Sequence, residues 1–289
     1  MHLHVVDGTY ELYRAHFSKR PEHRVKATLG LISSMLGLLA DEREAVTHLS
    51  IAFDNPIVSF RNELYDGYKT DEGVPPELRA QFDLAEEAMR ALGLVVWSMS
   101  RFEADDAMAT AAAKFKGEFD QVRILSPDKD LGQSVDGTRV VQVDRMRNKV
   151  IDEPALRALR GIAPRSIPDY LALVGDAADG FPGLRGIGER TATLLLARFP
   201  HLEDIPDDVA TWPKEIRAPQ KVAATLGEYR KEARLFRTLA TLVEDVPLAE
   251  SKEELAYRGA HRDAYESFCD RVGATNLRDR PTLWRASTS

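Results

Sequence analysis

The sequence predicts an α/β protein: an open, mostly parallel, twisted sheet flanked by helices and joined to a smaller α-helical domain. Three observations carry this reading. Short β-branched runs alternate with longer helical stretches through the first half, the rhythm of an α/β fold. The helical stretches cross over between runs, so neighbouring strands are parallel. From about Pro154 onward the strand signal fades while helical periodicity continues.

The strands are read at LHVV (3–6), LSIAF (49–53), LVVWS (94–98) and VRILS (122–126), each nearly apolar throughout, as strands covered on both faces are. Between them, VKATLGLISSMLGLLADE (25–42) and the stretch 76–92 place apolar residues three and four apart, which predicts helices. The segment TRVVQVDRMRNKVID (138–152) reads as two short strands around a polar turn, an antiparallel edge. Helices follow at PALRALR, SIPDYLALVG, ERTATLLLARF and 220–242. The expected organisation is an α/β core over 1–160, a helical region over 161–250, and a C-terminal extension over 251–289 that packs on the core or is partly flexible.

Composition narrows the function. Lys and Arg number 39 against 46 Asp and Glu, a net charge of −7, which excludes a protein that coats nucleic acid through bulk positive charge. With 44% hydrophobic residues the chain can build a core, so disorder is excluded as its main state. Cys269 is the single cysteine; it allows no intrachain disulfide and no cysteine-rich zinc site, and fits a reducing cytoplasm. There is no signal-peptide pattern and no apolar stretch of about 18 residues, so a cytoplasmic protein with no membrane contact is expected. His2 and His4 read as strand-edge histidines rather than a metal pair.

Acidic residues recur where strands end. Asp7 closes the first run, Asp54 the second, and Asp128 and Asp130 follow VRILS closely. In an open parallel sheet these carboxyl ends share one edge, the edge where ligands bind. FEADDAM (102–108) starts a helix after LVVWS and places Glu103, Asp105 and Asp106 beside that edge, with Glu103 and Asp106 on one helical face. Any single one of these acids could be an N-cap or turn residue. So many converging on one edge repel one another unless a cation joins them. All-oxygen sites without His or Cys suit Mg²⁺ or Mn²⁺, and two such ions about 4 Å apart are the machinery of phosphodiester cleavage. A further pair, Asp176 and Asp179, lies in LVGDAADGFPGLRGIGERTA (173–192). There Gly183, Arg185, Gly186 and Gly188 lead into a helix starting at Glu189, a helix–hairpin–helix signature: glycines let the turn approach a phosphate and the helix terminus offers N–H groups to it.

In order and identity, the blocks VVDGTYELYRA, IAFDN with SFRNELYDGYK, RFEADDAMAT, SPDKDL and VGDAADGFPGLRGIGERTA resemble the 5′-nuclease superfamily, which includes flap endonucleases and the 5′-nuclease domain of bacterial DNA polymerase I. The resemblance runs from Asp7 to about residue 245. It implies that all nine carboxylates, Asp7, Asp54, Glu103, Asp105, Asp106, Asp128, Asp130, Asp176 and Asp179, surround two or more Mg²⁺ or Mn²⁺ ions, with K⁺ at the helix–hairpin–helix as an additional expectation. It also implies a helical arch at about 64–90 through which a single-stranded 5′ end passes. Tyr68 and Lys69 would sit at its base, the lysine at the scissile phosphate and the ring against an unpaired base. Arg14 and Arg61 match positions that contact phosphates, and Arg79, Arg190 and Lys221 are expected to hold the DNA backbone beside the hairpin residues.

Three positions depart from the resemblance. Glu72 stands where bacterial members usually carry an arch arginine, leaving Arg79 as the next candidate. Pro127 replaces the glycine before the Asp-Lys-Asp pair, and Gly180 replaces a common asparagine after Asp179. The function implied is a structure-selective 5′ nuclease, flap endonuclease and 5′-3′ exonuclease, acting by two-metal-ion hydrolysis. Its expected substrates are branched, flapped or nicked DNA and RNA–DNA primers, and the expected form is monomeric and stand-alone, with no polymerase segment following. If the source is bacterial, the resemblance implies association with the nucleoid. The alternative is a DNA-junction binding protein that keeps the fold with weak or no catalysis. Setting the nine carboxylates aside turns the deficit of positive charge into a small excess, so the acidity belongs largely to the expected metal pocket.

Overall fold

The apolar runs of the first half form four parallel strands, β1 (His2–Asp7), β2 (His48–Asp54), β3 (Val95–Met99) and β4 (Gln121–Leu125), in the spatial order β3-β2-β1-β4. In β1, Leu3, Val5 and Val6 are wholly buried, so side chains pointing to both faces of the sheet are covered. The register sets Val6 opposite Ile51 on one side and Leu125 on the other. Asp7 pairs with Ala52, so Asp54 lies two residues further along the adjacent strand. Covering helices include Gly8–His16, Phe82–Ala91 and Ala104–Phe115. The last buries five alanines, at 104, 107, 109, 111 and 112, whose short side chains let helix and sheet approach closely. Gly8 serves the same end after β1, since a Cβ there would lie 2.6 Å from the Phe53 ring.

These elements belong to one of two units in this computed structural model, which describes residues 1–286. The first comprises Met1–Val58, Asp71–Ser126 and Glu244–Ser289; the second comprises Ser59–Thr70 and Pro127–Val243. The units do not follow the linear order of the expected domains. Residues after 244 join the first through backbone bonds, Leu49 N–H to the Leu255 carbonyl (3.0 Å) and Tyr257 N–H to that of Thr47 (2.9 Å). They also join it through the helix Arg262–Val272, which buries Tyr265, Phe268 and Cys269. The last three residues of the expected 251–289 extension lie outside the described residues.

The second unit contains the hairpin of β5 (Val140–Asp144) and β6 (Lys149–Ile151), antiparallel, with Gln142 opposite Ile151. Asp144 ties its turn by accepting from the Arg147 backbone (3.0 Å) and side chain (2.8 Å). The helices Glu153–Arg160, Ile167–Val174, Glu189–Arg198, Pro219–Glu228 and Arg230–Ala240 follow. The first is bounded by the side-chain cap of Asp152 and by Gly161, whose φ of 72° ends it in the left-handed conformation. Phe181 stacks on Phe236 at 5.7 Å in the core of the unit, with Leu171, Leu195 and Trp212 buried in the same cluster. The α/β core and the helical region read from the sequence are both present. Within 64–90, residues 65–75 are without helix and turn around Gly67, Gly73 and the Pro75–Pro76 pair; the helices there are Pro76–Arg79 and Phe82–Ala91. Among the described residues no helix is long and apolar enough to cross a membrane.

Candidate metal centre

The nine carboxylates fall into two sets. In the first unit, Asp7 ends β1 and caps the helix Gly8–His16, accepting from Tyr10 N–H (2.8 Å) with one oxygen and from the Ser126 hydroxyl (2.8 Å) with the other. Asp54 ends β2 and accepts from Ala104 N–H (2.8 Å), which ties this strand end to the start of the helix Ala104–Phe115. Glu103 is the N-cap of that helix, and Asp106 closes a capping box by accepting from Glu103 N–H (2.9 Å). Capping and ligation are therefore not rivals here. The helix terminus fixes the direction of carboxylates that are themselves nearly buried, Glu103 at 7% and Asp106 at 0% exposure, and its dipole favours their charge.

The second unit holds the other four. Single oxygens of Asp130, Asp176 and Asp179 lie within 4.8 Å of one another, and the exposed Asp128 adjoins them by accepting from Asp130 N–H (2.9 Å). Asp176 is oriented by its own loop: one oxygen accepts from Ala178 N–H (2.9 Å) and Asp179 N–H (3.4 Å). Asp130 is buried among negative charges. Burial first, then the charges of Asp128, Asp179 and Asp176, push its carboxyl well above the usual carboxylate range. Its Oδ1 is buried with no hydrogen-bond donor.

Two lysines meet this set. Lys69 pairs with Asp179 at 2.9 Å, and its backbone N–H donates to the Asp179 carbonyl (3.0 Å). Lys129 forms an ion pair with Asp176. Burial alone would lower the Lys129 ammonium, but the hydrogen bond to Asp176 and the charges of Asp130, Asp176 and Asp128 raise it above its ordinary value. Sequence reasoning passed over Lys129, although it stands between two expected ligands. It also passed over Asn62, whose amide donates to the Lys69 carbonyl (2.9 Å) and steadies that backbone. Nothing in the sequence marks Asn62.

Two expected site residues are buried. Tyr68 is 3% exposed, its ring is part of the apolar core of the second unit, and its hydroxyl donates to Asp179 (3.3 Å). Arg61 is wholly buried, and its guanidinium donates to the carbonyls of Leu239 (2.8 Å) and Thr241 (2.9 Å), which anchors the segment 59–70. Arg14 is paired with Glu11 and donates to Ser34 (3.1 Å), and Arg79 lies over the Phe82 ring at 4.9 Å. In the hairpin, Gly183 has φ +67° and a Cβ there would strike Gly175 N at 2.3 Å, whereas Gly186 (φ +88°) and Gly188 face open space. Arg185, Arg190 and Lys221 are exposed.

Against known protein families, residues 2–159 match the 5′-3′ exonuclease, N-terminal resolvase-like domain, and residues 162–263 the 5′-3′ exonuclease, C-terminal SAM fold. The DNA polymerase I of Bacillus caldotenax is 33% identical over 282 residues, covering 94% of this chain, which in turn spans 31% of that relative's length. A 5′-3′ exonuclease of Aquifex aeolicus is 30% identical, over 88% of this chain and 86% of its own. Among solved structures, the 5′-exonuclease of T5 with bound zinc superposes with a TM-score of 0.66 at 18% identity, covering 97% of this chain and 96% of that one. The catalytic core of Rad2 in complex with a DNA substrate gives 0.58 at 16% identity, with 94% and 87% covered. At these identities the structural likeness is one of fold.

Proposed function

The chain belongs to the 5′-3′ exonuclease family, and from that premise we propose that it is a divalent-metal-dependent, structure-selective 5′ nuclease that hydrolyses DNA near junctions of single and double strand. The observation that carries the reading is Asp130. A buried carboxylate oxygen without a donor, with oxygens of Asp176 and Asp179 within 4.8 Å, is costly unless a cation completes it. The donors are all oxygen, which fits Mg²⁺ or Mn²⁺. Asp7, Asp54, Glu103, Asp105 and Asp106 are the proposed ligands in the first unit, and Asp128, Asp130, Asp176 and Asp179 in the second. When bound, such an ion supplies Lewis-acid charge for attack by water and departure of the leaving oxygen.

The chain's own residues supply position. Lys69, its ammonium paired with Asp179, which also accepts from the Tyr68 hydroxyl, and its backbone carbonyl held by Asn62, offers an ammonium for the scissile phosphate. The hairpin Gly183–Gly188 and the start of the helix Glu189–Arg198 receive a phosphate backbone, with Arg185, Arg190 and Lys221 adding charge, so little sequence preference follows. Flapped, branched or nicked DNA and RNA–DNA primers are the proposed substrates. The test is product-length analysis on one labelled 5′ flap with Mg²⁺ or Mn²⁺. Cleavage near the junction is expected, lost in Asp130→Asn while flap binding persists. An Asp130→Asn variant with full activity, or a wild type that binds the flap and never cuts it, overturns the reading.

A further inference from the structure

The carboxylate set of the second unit carries two ammonium groups, and one of them lies on the Asp176 oxygen that accepts no backbone N–H. Asp176 turns one oxygen to the backbone N–H groups of Ala178 and Asp179. The other oxygen is the one paired with the Lys129 ammonium. Asp176 is buried, its side chain 3% exposed, while that of Lys129 is 40% exposed, so the lysine reaches into the site from its rim. Asp130 leaves its own buried oxygen without a donor beside this pair. An ammonium and a divalent ion repel each other and compete for one lone-pair region.

We propose that Lys129 is a tethered counter-ion: it holds Asp176 in the metal-free protein and must be displaced from that oxygen when a divalent ion binds. This rests on the metal site proposed above. The Lys129 ammonium offsets part of the negative charge of these carboxylates in the metal-free protein, and the affinity for the ion is lowered by the competing lysine. On displacement the ammonium swings on its flexible stem to the exposed side of the loop, with no change of backbone required.

The experiment is calorimetric titration of the metal-stripped full chain with Mn²⁺ alone, without DNA. Lys129→Met is expected to bind Mn²⁺ roughly threefold to thirtyfold more tightly than wild type, the range of a partly exposed ion pair lost to the ion. Its metal-free melting temperature is expected to fall, so its rise on adding Mn²⁺ exceeds that of wild type. Lys129→Arg keeps the charge and is expected to bind near the wild-type affinity; Lys129→Gln repeats the test if the methionine variant does not fold. Equal or weaker binding in the neutral variants, or equal tightening in the arginine variant, overturns the inference while leaving the metal site standing. No Mn²⁺ binding by wild type overturns the metal site itself.

Discussion

Gly180 offers a sharp test of how the site is assembled. Its φ is +88°, and a Cβ placed there would lie 2.1 Å from the Gly67 carbonyl oxygen and 3.5 Å from Lys69 N. The obstacle is backbone, so a substitution must push the 67–69 segment away from the loop of Asp176 and Asp179. That motion breaks the bond from Lys69 N–H to the Asp179 carbonyl, 3.0 Å long here. For Gly180→Ala the left-handed backbone costs about 1–2 kcal/mol and the broken hydrogen bond about 1 kcal/mol or more, so a loss of roughly 2–4 kcal/mol is expected. Gly180→Asn separates the two contributions, because asparagine tolerates positive φ but still carries the colliding Cβ. It is expected to recover about 1 kcal/mol and no more. Urea unfolding of the metal-free chain measures the loss, and single-turnover cleavage of a 5′ flap measures the displacement of Lys69. The rate is expected to fall by about tenfold or more, and Lys69→Ala added to Gly180→Ala should slow it little further, since both act through one group. An asparagine variant with wild-type stability and rate would refute the reasoning.

Arg61 and His4 yield two more. Arg61→Met leaves the Leu239 and Thr241 carbonyls without their donor and is expected to cost about 3 kcal/mol in urea unfolding, with flap affinity of the folded protein unchanged. A loss of affinity at unchanged stability would return Arg61 to the phosphate. His4 is buried beside Glu44 (3.0 Å), and burial, only partly offset by Glu44, lowers its pKa to about 4. The folded state therefore binds this proton less readily than the unfolded chain. Stability from this group is intact above the unfolded value near 6.5 and is lost as pH falls toward 4, by up to about 3 kcal/mol. His4→Asn is expected to flatten stability between these limits, and an unchanged acid limb would reject the assignment.

The parts of the fold legible in the sequence were those with local signals. An apolar run such as LHVV, or the three- and four-residue spacing of 25–42, states its own burial, and acids placed just after strands announce an edge where charge collects. The burial of Arg61 and Tyr68 is not legible in the sequence, for the opposite reason. The partners of Arg61 are backbone carbonyls 178 and 180 residues away, and those of Tyr68 are an aspartate 111 residues on and an apolar cluster. A basic residue next to an expected site looks like a phosphate contact unless its distant partners are known. Gly180 was visible as a departure but not as a requirement, because the requirement is set by the Gly67 carbonyl.

The same distinction explains why the capping reading and the metal reading of the acids could not be separated from sequence. Asp7 and Asp106 do cap helices, as acids at helix starts ordinarily do. A cap satisfies a backbone N–H with one oxygen, however, and leaves the carboxylate's charge nearly intact. Asp106 is 0% exposed, and Asp130, which caps no helix, is 7% exposed with one buried oxygen lacking a hydrogen-bond donor. Helix capping accounts for the direction of Asp7 and Asp106 but not for the burial of carboxyl groups close together, as at Asp130 and Asp176 beside Asp179. Burial with a surplus of negative charge is a cost that capping leaves in place and a divalent cation removes. That residual cost, rather than the number of acids, is what distinguishes a metal centre from a set of well-made helix starts.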